Sequence, residues 1–514
     1  MKSRKLLFML LLVGMPLLVQ AQLEVYSYPD KIIDANKGYN ARSALYQVFV
    51  SEGNASKEAY VMYDRNQAAY RKNLSRNPDN HWTNFSHGKE VTVTVVKKEG
   101  DIRSCTVYPL KKGIQATVIN GKATFQIPAS KTPLQVFVML DSNPAEPLFI
   151  FADPLEEDVP DRKDIAQVEV IRTTDKIEMV RKKLNSAKPY AVFEEGMHQW
   201  DGGSHMQYEG YKMPIRSGKK IYLPGGAYVV GSFSGESQQD FKIYGRGVLS
   251  GCGLQVIEDV SGIPYSLVYQ TGEESTGTVE GIVTICPPHF AITGRGKLDV
   301  FNVKMLSWWY STDGTIVGDN SKNYDCFFKV NDDAMKVYSQ NCHYRNNTIF
   351  QQVNGAPFQF CWSKQNGDGN LMEDTYIVYS VYRTSFHKFT SNTAVINCLK
   401  GSGKVTENNT FDGIYIDNGC HRLIGLNTEN ESNSIFRKIK IRNVALNAGL
   451  NSQPQAAASY LVNGTAQNYD ISIENLTVDG HPVTETETGK DDAGKLWVAE
   501  NGELLKFNQA SDSQ

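Results

Sequence analysis

Ile221-Tyr222-Leu223-Pro224-Gly225-Gly226-Ala227-Tyr228-Val229-Val230 is followed shortly by Ile243-Tyr244-Gly245-Arg246-Gly247-Val248-Leu249-Ser250-Gly251. Both are brief apolar runs broken by Gly or Pro, the pattern of short buried strands joined at tight corners. Downstream, similar alternations recur around Asn302, Asn346, Ser380, Asn409, Asn443 and Asn475; the last five are 34, 29, 34 and 32 residues apart, and the first step is 44. A period near 30 with three short strands per repeat is what a parallel β-helix requires, because each coil buries its inner face only against the next. The recurring residues are expected to stack as a hydrogen-bonded ladder at the coil corners. A long antiparallel sandwich is the alternative.

Upstream the texture differs. Val91, Val93 and Val95 alternate with more polar neighbours, Thr117-Val118-Ile119 leads through Asn120-Gly121 into Ala123-Thr124-Phe125, and Leu134 to Leu140 adds another strand. Asn-Gly between two β-rich runs signals a hairpin, since both residues tolerate positive φ. Closely spaced strands with tight turns predict an antiparallel sandwich. The polar, proline-bracketed stretch Pro154 to Asp161 places the boundary nearby, and Thr174 is expected to cap a short helix bearing Ile177, Val180 and Leu184 on one face. The predicted division is residues 1–21 as a cleaved leader, 22–165 as the sandwich, 166–500 as the solenoid and 501–514 as a tail. The leader follows from Lys2, Arg4 and Lys5 before an apolar run, Leu6 to Leu18, too short to span a bilayer, with Ala21 at the expected cleavage point. A secreted or periplasmic location after cleavage is implied, with no membrane span.

The 514 residues are 41% hydrophobic and 21% charged, which excludes disorder and coiled coil. A formal charge of −3 leaves no global basic field for nucleic acid. Eight cysteines lie far apart without a Cys-x-x-Cys pair and mostly between apolar neighbours, so buried thiols are expected. His205, His289 and His343 show no ligand spacing, so neither a catalytic metal nor a cofactor is predicted.

The chemistry gathers in Trp308-Trp309-Tyr310-Ser311-Thr312-Asp313-Gly314 and Lys329-Val330-Asn331-Asp332-Asp333-Ala334-Met335-Lys336. Asp313 and Asp332 are 19 residues apart, about one coil, and residues one coil apart stack about 4.8 Å apart. Three carboxylates on one face would raise at least one pKa, and glycosidic cleavage needs one protonated and one ionised carboxyl. Adjacent residues on a regular strand point oppositely, so Asp332 and Asp333 can converge only where the strand bends or ends. The competing readings are a turn for Thr-Asp-Gly and a loop cap or calcium site for Asn-Asp-Asp.

These segments, with Tyr222 to Val229, His81-Trp82-Thr83-Asn84-Phe85-Ser86 and Pro154-Leu155-Glu156-Glu157, resemble glycoside hydrolase family 49, the dextranase and isopullulanase family. The resemblance implies an all-β chain, an N-terminal antiparallel β-sandwich followed by a right-handed parallel β-helix, and hydrolysis of an α-glucan, most readily the α-1,6 linkages of dextran, with inversion. It implies Asp332 as general acid, with Asp313 and Asp333 activating the water. Isopullulanase-type activity on pullulan is one alternative. A polygalacturonase-like hydrolase is another, but His387 lacks flanking glycines and only Lys304, Lys329 and Lys336 lie near the acids. A non-catalytic carbohydrate-binding solenoid is a third. Trp309, Asn331, Lys336, Gln359 and Trp362 are candidate sugar contacts; Lys336 is equally a partner for a catalytic carboxylate, and Asp417 reads as a turn acid.

Overall fold

The computed structural model describes the chain except residues 1–22, 33–37, 65–78, 201–210, 253–265, 308–311, 354, 362–366, 383–393, 399–402, 429–433, 448–458, 463, 488–495 and 509–514. The expected leader, Trp309, Trp362 and His387 lie outside the described residues. Among the described residues no helix is long and apolar enough to cross a membrane.

Two sheets form the first unit. One orders five antiparallel strands, including Tyr46–Glu52, Val91–Lys97 and Lys122–Ile127; the other holds six, including Asn80–His87, Leu134–Leu140 and Leu148–Pro154. Val91, Val93 and Val95 turn into the core between the sheets while Thr92 and Thr94 stay half-exposed. Asn120 and Gly121 sit at φ 51° and 71°, closing the two-residue hairpin in which Ile119 pairs with Lys122. The expected antiparallel pattern has one exception: Leu148–Pro154 runs parallel to Asn80–His87. That strand is buried on both faces and so reads as a continuous apolar run. Leu148, Ile150 and Ala152 enter the sandwich core, whereas Phe149 and Phe151 pack on Phe327 of the second unit at centroid distances of 4.9 and 5.1 Å.

A helix, Ile177–Leu184, marks the junction with Ile177, Val180 and Leu184 buried, but its N-cap is Lys176, without a side-chain cap. The expectation for Thr174 is therefore corrected: Asp175 holds the turn instead, its carboxylate accepting from the Arg172 amide and from Lys183.

From Val168 the chain winds into a parallel β-helix built on a 22-stranded and a 12-stranded sheet. A typical coil contributes Lys297–Phe301 and Lys304–Leu306 to the larger sheet and Asp313–Ile316 to the smaller, three short strands as the period required. The corner between the first two strands is a column of residues in the left-handed region: Asn302, Asp325, Asn346, Asp374, Gly413, Asn443 and Asn475. Ser380 and Asn409 are not in it. The corner demands only positive φ, which Asn, Asp and Gly all supply, so Asp325 stands in it between Asn302 and Asn346, and the step of 44 is two coils. Side chains do ladder there, with Asn475 Nδ2 donating to Asn443 Oδ1 at 2.8 Å and Asn346 Nδ2 to Asp325 Oδ1 at 2.6 Å. Asn409 belongs to a separate buried ladder, its Oδ1 accepting from Asn370 Nδ2 at 2.9 Å.

The sandwich docks along the column through polar groups as well as rings. Lys304 Nζ donates to both oxygens of Asp153 at 2.8 and 2.7 Å with both side chains fully buried, and Asn302 Nδ2 adds a bond at 3.0 Å. Tyr28 Oη and Asn84 Nδ2 both donate to the Arg246 carbonyl. Asp417 accepts from the Leu110 amide at this interface. Seven of the eight cysteines are buried.

Removing one member of a buried ion pair strands the other charge in a medium that cannot solvate it. Asp153→Ala is expected to cost about 3–5 kcal/mol in urea unfolding, and Asp153→Leu combined with Lys304→Met to recover most of that loss. Equal losses in the single and double variants would mean that the pair is not what couples the two units.

Candidate active site

Asp313 opens its strand and stands one coil before Asp333: Thr315 is in register with Met335, the Gly314 amide donates to the Asp333 carbonyl at 2.9 Å, and the Asp333 amide donates to Asp313 Oδ1 at 3.1 Å. Asp332 and Asp333 lie between the strands Phe327–Lys329 and Met335–Lys336, where the chain passes from one sheet to the other. The alternation of strand side chains lapses there, which is the condition for their convergence. In the next coil Gly355 has φ +83°, and a Cβ on it would stand 2.0 Å from the Asp332 carbonyl carbon, so only glycine fits against this bend.

One carboxyl oxygen from each of Asp313, Asp332 and Asp333 lies within 4.8 Å of the others. Lys336 divides them. Its Nζ is 2.5 Å from Asp333 Oδ2 and 2.9 Å from Asp313 Oδ1, and Asp333 Oδ1 accepts from the Ala356 amide at 2.9 Å. Asp313 and Asp333 are buried; Asp332 is partly exposed, and among the described residues no such cation is bonded to it. Burial raises the pKa of all three and the Lys336 charge opposes the rise in each, with a direct hydrogen bond added only for Asp313 and Asp333. For Asp332 the charges of Asp313 and Asp333 add to burial and hold it well above the ordinary carboxyl range. Burial works against the Lys336 charge, and the two carboxylates overcome it and keep the amine protonated. The site therefore sets two carboxyls that share one counter-ion beside a third that has none bonded to it and is held further above the ordinary carboxyl range. The trio has the oxygen donors of a hard-cation site, but the positive charge between Asp313 and Asp333 is already the lysine's.

Two neighbours escaped the sequence reading. His289 Nε2 is 3.8 Å from Asp313 Oδ2, and burial, with Lys336, pushes the ring down to about 4, so it is neutral. Tyr338 places its ring 5.8 Å from Lys336 Nζ. His289 has no metal-ligand spacing in the sequence to mark it. Its one signal was its place a coil before Asp313, visible once Phe290 is known to pair with Asp313.

The other expected sugar contacts fare differently. Lys336 faces the acids, as a partner for two carboxylates. Gln359 is in register with Lys336 but fully buried, its amide bonded to the Phe360 carbonyl and to Asn397, so it is corrected from a cleft residue to part of the internal packing. Asn331 is likewise buried, its backbone amide donating to the Thr312 carbonyl, and is not open to a sugar. Lys304 and Lys329 are buried and bonded to Asp153 and the Ser307 carbonyl, which leaves Lys336 alone of the three beside the acids.

No family model matches the chain. It is 27% identical over 202 residues to a dextranase of Arthrobacter sp. (strain CB-8), covering 35% of this chain and 31% of that protein. It is 22% identical over 502 residues to an isopullulanase of Aspergillus niger, covering 86% of this chain and 87% of that one. The chain thus spans under a third of the length of the Arthrobacter relative. Among solved structures, Dex49A from Penicillium minioluteum superposes with a TM-score of 0.79 over 95% of this chain and 99% of that one at 16% identity, a likeness of fold.

Lys336→Met takes away the counter-ion, so the folded-state pKa values of Asp313 and Asp333 rise further above their unfolded values. The folded chain then keeps protons that the unfolded chain releases, and stability falls as pH rises from about 4. Urea unfolding is expected to show a loss of about 3–5 kcal/mol at pH 7 and a clearly smaller one at pH 4. A pH-independent loss would show that Lys336 acts by packing alone.

Proposed function

We propose that this chain, which belongs to the dextranase and isopullulanase family, glycoside hydrolase family 49, is an exported glycoside hydrolase that cleaves an α-glucan, with dextran and its α-1,6 linkages first. The observation that carries the reading is the division of the three acids by Lys336: two carboxyls share its ammonium, and the third, partly exposed, is held well above the ordinary carboxyl range. Glycosidic hydrolysis needs that combination, an acid for the leaving oxygen and a base for the water.

In this mechanism Asp332 gives its proton to the glycosidic oxygen as the bond to C1 breaks. Water attacks C1, and its proton passes to the pair formed by Asp313 and Asp333. Lys336 is a positioning residue: it keeps the pair ionised at a pH where Asp332 is still an acid. His289 is neutral and close enough to Asp313 to help to orient the water. An uncharged glucan suits a site whose lysine is already committed to carboxylates, whereas a uronate polymer would need cations to spare. Pullulan is the next substrate to try, because the isopullulanase match covers most of both chains.

Asp332→Asn is expected to lower turnover on dextran by roughly 10²- to 10⁴-fold while the fold persists. Turnover near the wild-type value would remove Asp332 from the acid's role.

Stereochemistry is the sharper question. The nearest carboxyl oxygens lie within 4.8 Å, short of the roughly 6.5–9.5 Å associated with inverting pairs, so separation lends inversion no support. What supports it is that both anionic carboxylates have an oxygen held by Lys336, which weakens either as a nucleophile and suits the two to share a water. Digestion of dextran, pullulan and polygalacturonate followed by proton NMR of the first anomeric signals tests both parts: β-configured product released from dextran is expected. Early α-anomer means retention, and turnover of polygalacturonate alone overturns the substrate class. Inertness on all three favours a binding solenoid.

A further inference from the structure

Where the sandwich meets the early coils, a second cluster of ligating groups lies apart from the three acids. Asp64 ends the sandwich strand Met62–Asp64; Cys252 and Cys286 follow the solenoid strands Val248–Ser250 and Val283–Ile285, which pair in register on successive coils. All three residues are buried, and one ligand atom from each lies within 4.8 Å of the others. The coils approach closely here, for a Cβ on Gly251 would stand 2.0 Å from the Cys286 carbonyl oxygen. Nothing in the proposed hydrolysis uses this cluster.

We propose that Asp64, Cys252 and Cys286 bind one divalent cation of the zinc type, tying the sandwich to the solenoid. The donor set is two thiolates and one carboxylate, which selects a borderline-soft ion over calcium or magnesium. In a tetrahedral site with metal–sulfur bonds of about 2.3 Å, ligand atoms stand roughly 3.8 Å apart, so the cluster needs to contract by about 1 Å at most. Cys286 Sγ already approaches Asp64 Oδ1 at 3.3 Å.

Two independent features of the surroundings suit a cation. Asn80 is fully buried with its amide turned onto Asp64, Nδ2 at 3.2 Å from Oδ2, while its Oδ1 has no hydrogen-bond partner among the described residues. Turning that amide over presents a fourth oxygen ligand. Charge provides the second. Lys329 is buried close enough for its charge to act on Asp64 and Cys286. Two thiolates and the Asp64 carboxylate carry three negative charges, while Lys329 and Asp79 nearby offset one another, so a divalent ion cuts the net charge of this buried cluster from three negative to one. Binding releases two thiol protons to solvent, and affinity rises with pH.

The test uses the full-length protein, reduced and stripped with chelator, titrated with Co²⁺. The expected result is a thiolate-to-cobalt charge-transfer band that saturates at one equivalent and is bleached by Zn²⁺. It should be absent in Cys252→Ser and Cys286→Ser, shifted to at least roughly 10-fold weaker binding in Asp64→Asn, and kept in Asp332→Asn. Zn²⁺ should raise the Tm of the wild type but not of Cys286→Ser. The wild-type spectrum decides even if a serine variant fails to fold: no charge-transfer band from the reduced protein overturns the proposal. So does a band that survives both cysteine replacements, or Co²⁺ binding that disappears only in Asp332→Asn.

Discussion

The parallel register between successive coils is the constraint from which the rest of this protein follows. No coil can bury its inner face alone, so each must stack on the next with its strands aligned. At every turn the chain must change direction, and a residue in the left-handed region does this at one corner from Asn302 through Asn475. Corner residues can differ because backbone conformation, not side-chain identity, is what the corner selects.

The same register creates the electrostatic problem at the candidate active site. Alignment of Thr315 with Met335 brings Asp313 beside Asp333, and the bend before Met335 adds Asp332. Three carboxylates in a partly buried space cannot all ionise without a counter-charge. Lys336 supplies one charge, and it falls on two of the acids. The third has its pKa pushed highest, by burial and by the other two. The lysine thus makes chemically different groups from identical side chains, the kind of separation on which acid–base catalysis depends.

The sandwich is more than an appended unit. Its strand Leu148–Pro154 faces its own core on one side and the rings of Phe327 and Phe350 on the other, with Asp153, next to its end, under Lys304. An ion pair so buried adds little net stability against an apolar replacement, yet is costly to break. Its value is in fixing where the two units meet. The Asp64, Cys252 and Cys286 cluster lies on the same seam, with ligands from both sides.

Much of this was legible in the chain because it is local. Strand alternation at Val91 to Val95, the Asn120-Gly121 turn, the short broken apolar runs of the solenoid and the three acids with their one-coil spacing all depend on neighbours within a few residues or on a near-constant period. What tertiary structure decided depends on contacts across coils of unequal length. The sequence placed Ser380 and Asn409 in a corner column where Asp374 and Gly413 stand, because insertions shift the period and several residue types satisfy positive φ. It placed Gln359 and Asn331 in a cleft, whereas both are buried, since strand residues show their face only once the strand's bends are known. It left Lys336 between two roles, and only the stacked coils, by bringing Asp313 and Asp333 to opposite sides of one ammonium, assigned it to the carboxylates. The three acids and their spacing were written in the sequence; how far each is pushed above the ordinary carboxyl range was set by burial and by the position of one charge.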